Sequence, residues 1–183
     1  MDALLLGLSL GLAAGLSPGP LLFLVLREAA RRGPAAGALA ALAPLVTDAP
    51  VVAAAWLAAG RLPEGALRLV GLFGGLWLLY SGLKGLLGKA SPPSAAPAES
   101  LKAGVLANLA NPHMYLFWFA VGTPILASLG SRAVFFLLGF YLTLVGSKVL
   151  VALFAGRMPA LGRAAELFLA LAGAWLILRS LAP

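Results

Sequence analysis

The chain has 183 residues, 62% of them hydrophobic and only 10% charged, with a mean hydropathy of +1.01. A soluble domain carries about 25% charged residues, so a chain this short has no soluble way to bury its apolar surface, and an integral membrane protein is expected. The absence of cysteine excludes disulfides, thiolate metal sites and dithiol redox chemistry, while the net charge of +7 is expected to set topology and meet anionic lipid heads, with no nucleic acid as partner.

Six apolar runs follow one another, each near the ~20 residues that cross ~30 Å of hydrocarbon. They cover residues 3–26, 35–59, 66–87, 103–129, 133–155 and 164–181. No alternating period appears, and the runs are too long for barrel strands, so an all-α polytopic protein with six transmembrane helices is expected. The first run has only Asp2 before it, and its basic residues Arg27, Arg31 and Arg32 follow it. That polarity is the reverse of a signal peptide's, which predicts a retained span with its N-terminus outside.

In the first run Gly7, Gly11, Gly15 and Gly19 recur every four residues and make a smooth face for close helix approach. The sequence leaves open whether the partner helix belongs to the same chain or to a second copy in a homodimer. The run is then broken by Ser17-Pro18-Gly19-Pro20. Proline lacks an N–H and blocks the bond to residue i−4, so polar backbone is freed at membrane depth, where lipid cannot satisfy it. The half-helix that follows offers N–H groups to an anion such as a carboxylate.

The second run carries Asp48 at its middle, flanked by Pro44 and Pro50. A charge there costs about 2.5–3.5 kcal/mol on insertion scales, and an intramembrane acid defaults to a proton or substrate group. In the third run Trp77 and Tyr80 read as interfacial anchors. Residues 88–102, rich in Pro and Ser, read as a flexible linker between a first unit, 1–87, and a second, 103–183. Turns are expected at 31–34, 60–65, 130–132 and 156–159.

The fourth run is interrupted by Asn111-Pro112-His113. Asn111 can cap the half-helix that Pro112 begins. His113, the one histidine, is expected at the break as a hydrogen-bonded residue or proton relay. Tyr115 and Trp118 follow, either as core or as cavity wall. Lys148 lies inside the fifth run, where an ion pair with Asp48 across the bundle is the sharper expectation.

Eight Lys and Arg residues fall on one side of these runs and four on the other, which favours both termini outside a plasma (inner) membrane. Three spans per half is odd, so equivalent halves must insert in opposite senses, as inverted repeats with broken first helices.

Pro18-Gly19-Pro20 in a Gly-rich first span, Asp48 in the second, and Asn111-Pro112 followed by Phe117-Trp118 in the fourth together resemble the LysE/RhtB family of small-molecule exporters. The resemblance spans nearly the whole chain. It implies export of amino acids and related metabolites driven by the proton gradient. Two positions depart from the family pattern: Thr47 precedes Asp48 where glycine is usual, and His113 follows Asn111-Pro112 where a basic residue, usually lysine, is common. Both fall at the expected site, so the substrate itself is not carried over.

The expected binding residues are Ser17, Pro18, Gly19, Pro20, Asp48, Asn111, Pro112, His113 and Lys148, with Asp48 as the proton-coupling group. A metal-cation exporter is less well supplied, having one acid and one histidine at membrane depth. An enzyme is not expected, because Ser17, Thr47, Ser147 and His113 show no catalytic spacing, and no cofactor is implied. A non-transporting scaffold would not require paired breaks and buried charges.

Overall fold

The structure is a computed structural model that describes residues 2–58, 64–87, 97–157 and 160–181. Among these residues all regular structure is helical. Helix α1 (Ala3–Leu16) starts on Asp2, whose carboxylate accepts from the Leu4 amide at 3.0 Å. It stops at Ser17, and α2 (Pro20–Arg32) leaves at 65°. Ala14 and Leu16 would need amide donors at positions 18 and 20, and both are prolines. Gly33, at φ +94°, turns the chain into α3 (Pro34–Ala41), a conformation that glycine adopts without strain. Helix α4 (Ala43–Leu57) continues α3 after a one-residue break at Leu42.

Helices α5 (Glu64–Leu87), α6 (Pro97–Leu109) and α7 (Pro112–Phe117) follow. A π-helical turn, Trp118–Gly122, joins α7 to α8 (Thr123–Leu129). Pro124 has no N–H for the Ala120 carbonyl four residues earlier, so the widened turn lies where the ladder is already open. A 3₁₀ turn, Gly130–Arg132, leads to α9 (Ala133–Ala155), and α10 (Ala160–Leu181) ends the described chain.

The linker expectation is altered at its end. Residues 97–102 are helical, because proline at the first helical position loses no bond and Glu99 complements the N-terminal dipole. Residues 88–96, and the turn residues expected at 60–63 and 158–159, lie outside the described residues. Among the described residues four helices are long and apolar enough to cross a membrane, or five if α1 and α2 form one bent span. One of the four is the 44-residue stretch Pro112–Ala155, which takes in the 3₁₀ turn at Gly130–Arg132. The count from helix length is therefore lower than the six expected from apolar runs.

Two long helix pairs dominate the packing: α1 lies along α9, and α5 lies along α10. The glycine face of α1 meets this same chain. A Cβ on Gly7 or Gly11 would fall on the backbone of Phe136 or Phe140, and one on Gly15 would fall on the Ser147 hydroxyl. A Cβ added to Gly19, the fourth in the series, would meet nothing within 4 Å.

The C-terminal end of α2 is locked by charge. Arg31 Nε contacts Glu166 Oε1 on α10 at 2.6 Å, and Arg31 Nη2 donates to the Gly85 carbonyl on α5 at 2.7 Å. Arg27 donates to Ser81 at 2.7 Å and pairs with Glu28 at 3.0 Å. Ser100 donates to Glu28 Oε2 at 2.8 Å, and Arg32 reaches Glu99 at 3.2 Å. Glu28 is 4% exposed and Glu166 0%.

A cavity between two helix breaks

A cavity of about 540 Å³ opens between the α1–α2 break and the α6–α7 break. Ser17, Pro18 and Gly19 line it from the first break, Asn111 and His113 from the second, Asp48 from α4 and Lys148 from α9. Pro20 and Pro112 are not on its wall; they are the first residues of α2 and α7 and fix where those helices begin.

Asp48 is 3% exposed, yet its carboxylate is surrounded by donors. Asn108 Nδ2 donates to Asp48 Oδ1 at 3.0 Å and also to Thr47 Oγ1 at 2.7 Å. Thr47 Oγ1 lies 3.3 Å from the same carboxylate oxygen, and the Tyr141 hydroxyl donates to Oδ2 at 3.4 Å. A buried carboxylate is tolerable only with such partners.

Lys148 does not form the direct ion pair with Asp48 that its depth suggests. Its ammonium donates to the carbonyls of Gly15 at 2.8 Å and Ala14 at 3.3 Å. The Ala14 carbonyl has lost its donor because residue 18 is proline, and the Gly15 carbonyl has lost its donor because Gly19 is extended. A cation at a helix C-terminus also meets the negative end of the peptide dipoles. The first break thus creates the acceptors that hold the lysine at 4% exposure. Lys148→Met is expected to leave both carbonyls without this donor and to lower stability by about 1–3 kcal/mol. A thermal unfolding midpoint in detergent that stays unchanged would contradict this.

The second break is settled within its own run. The Asn111 side chain accepts from the His113 amide at 3.1 Å, the cap anticipated from the sequence. The Asn108 carbonyl, deprived of a donor by Pro112, accepts from the Asn111 amide at 3.0 Å. The Leu109 carbonyl accepts from the Tyr115 hydroxyl at 3.0 Å. His113 is exposed at the cavity wall. Among the described residues, no group of three His, Cys, Asp or Glu side chains could hold a metal ion.

The family model for LysE type translocators matches residues 12–179, which includes every residue of both breaks, Asp48 and Lys148. The chain belongs to the LysE type translocator family. No curated protein and no solved structure matches it. Family membership and the long apolar helices together make this translocator a membrane transporter.

Two hydrogen-bond partners of Asp48 in the translocator are not evident from the sequence as site residues: Asn108 and Tyr141. Asn108 carried a signal, being a polar amide inside an apolar run. Tyr141 carried none, since a tyrosine in a span reads equally well as core or anchor. Glu28 and Glu166 were likewise passed over, although each is an acid within or beside an apolar run.

Proposed function

We propose that this transporter exports amino acids or related small metabolites across the plasma membrane in exchange for protons, with Asp48 as the coupling group. The observation that carries the reading is the single cavity that receives both helix breaks and both intramembrane charges, Asp48 and Lys148. Interrupted helices around a central site are the usual construction of secondary transporters. A substrate ammonium would meet the Asp48 carboxylate. Its carboxylate would meet Lys148 and the free amides at the start of α2. A proton and the ammonium compete for Asp48, and that competition links the two fluxes. Asp48 takes its proton from outside and releases it inside as the cavity alternates.

In this reading the chain crosses the membrane six times, as two inverted repeats of three spans with both termini outside. The 44 residues of Pro112–Ala155 would extend roughly 66 Å if straight, twice the ~30 Å of a bilayer core, which supports a division at Gly130. Gly130, at φ +55°, is the backbone position suited to that reversal. Alternation requires α2 to leave α5 and α10 at its charged end, so the locked network there belongs to a state closed on that side.

Efflux of labelled amino acids from proteoliposomes, with and without an imposed pH gradient, tests the proposal. The native chain is expected to show gradient-driven efflux, and purified, monodisperse Asp48→Asn to show none. Proton-coupled transport at the native rate in Asp48→Asn would remove Asp48 from the coupling role.

A further inference from the structure

We infer that the cargo is a zwitterion whose side chain is uncharged and apolar, held against a wall formed by Phe117, Trp118 and Phe140. The inference rests on the amino-acid reading above and adds the chemistry of the side chain. The cavity wall carries two intramembrane charges, Asp48 and Lys148, and one exposed imidazole, His113. The α-ammonium and α-carboxylate of an amino acid use the two charges. A cationic side chain would need a second carboxylate.

Among the described residues Asp48 is the one acid on the cavity wall, and four of the sequence's six acids are held elsewhere. Asp2 caps α1. Glu28, Glu99 and Glu166 pair with arginines at the C-terminal end of α2. An anionic side chain would need a second cation, and Lys148 is already held by two backbone carbonyls while serving the α-carboxylate.

Ser17, Asn108 and Asn111 add uncharged polar groups, and the remaining lining side chains are apolar. Phe117 and Phe140 stack with ring centroids 5.0 Å apart, and Trp118 meets them edge-on at 5.1 and 5.4 Å. Leu10, Leu144 and Val121 extend the same surface. A charged group pressed against it would lose water without gaining a partner. An aliphatic or aromatic side chain would gain burial instead. A volume of about 540 Å³ admits a molecule of that size, within the common range of ligand pockets.

Counterflow exchange with the full chain in proteoliposomes tests this without an imposed gradient. Vesicles are loaded in turn with leucine, phenylalanine, alanine, lysine and glutamate, and uptake of the same labelled compound is followed. Leucine and phenylalanine are expected to exchange about a hundredfold faster than lysine or glutamate, matching the penalty for a charge at membrane depth. In Phe117→Ala the leucine-to-alanine rate ratio is expected to fall about tenfold. That ratio is internal to one preparation, so reduced folding yield does not alter it. Lysine or glutamate exchanging as fast as leucine would overturn the inference and leave amino-acid transport standing. An unchanged ratio in Phe117→Ala would remove the aromatic wall from specificity. Exchange of no amino acid would overturn both this inference and the reading on which it rests.

Discussion

Gly11→Leu is expected to lower stability by about 3 kcal/mol or more, whereas Gly146→Ala, on the partner helix, is expected to raise it. Even the first added carbon at Gly11 would meet the Phe140 carbonyl and the Thr143 hydroxyl. The clash is with backbone, which cannot rotate away as a long side chain can. Thr143 also donates across the interface to the Leu8 carbonyl at 2.9 Å, a bond that needs the two helices at this separation. In lipid, helix association depends on such close packing and interhelical hydrogen bonds, because the tails are as apolar as leucine. Gly146 sits in α9 with nothing within 4 Å of an added Cβ, so alanine there reduces only unfolded-chain entropy, by about 0.5–1 kcal/mol. Thermal midpoints of both variants in one detergent decide the matter. Shifts of the same sign would contradict the packing role assigned to the glycine face.

Arg31→Met is the second large effect. Glu166 is fully buried, with Arg31 as its ion-pair partner at 2.6 Å. Removing one member of a buried pair leaves an unpaired carboxylate and costs about 3–5 kcal/mol. The low end applies here, since the Arg31 side chain retains 31% exposure. The double variant Arg31→Met, Glu166→Leu is expected to recover most of the loss, because replacing both charges by apolar groups is often neutral. A double variant as unstable as Arg31→Met alone would assign the loss to the Gly85 carbonyl or to packing instead.

What the sequence could and could not reveal follows from how local each effect is. Proline acts on its own run, so both breaks were legible, as was the cap of Asn111 on the helix that Pro112 begins. Asp48 and Lys148 stood out because charges are expensive in apolar runs. Their partners were not legible, because these come from other helices. Depth alone suggested that the two charges would pair, but the carbonyls freed at Pro18 compete for the ammonium and hold it. Arg31 read as a topology-setting loop charge because its distance from Glu166 along the chain hides their contact. The turn expected at 130–132 from composition is a short 3₁₀ turn with Gly130 at φ +55°, so helical residues flank it closely on both sides.

The glycine face of α1 also sets an order of events. Its partner α9 begins roughly 120 residues after α1 ends. At about 5–20 residues per second, synthesis needs on the order of ten seconds before that partner exists. Throughout that interval α1 presents a groove of bare backbone shaped for another helix, and any nascent neighbour with small residues can occupy it. Likewise α5 must wait for α10. Neither helix pair can pack until its later member has been made, so truncation before α9 would leave α1 without its partner.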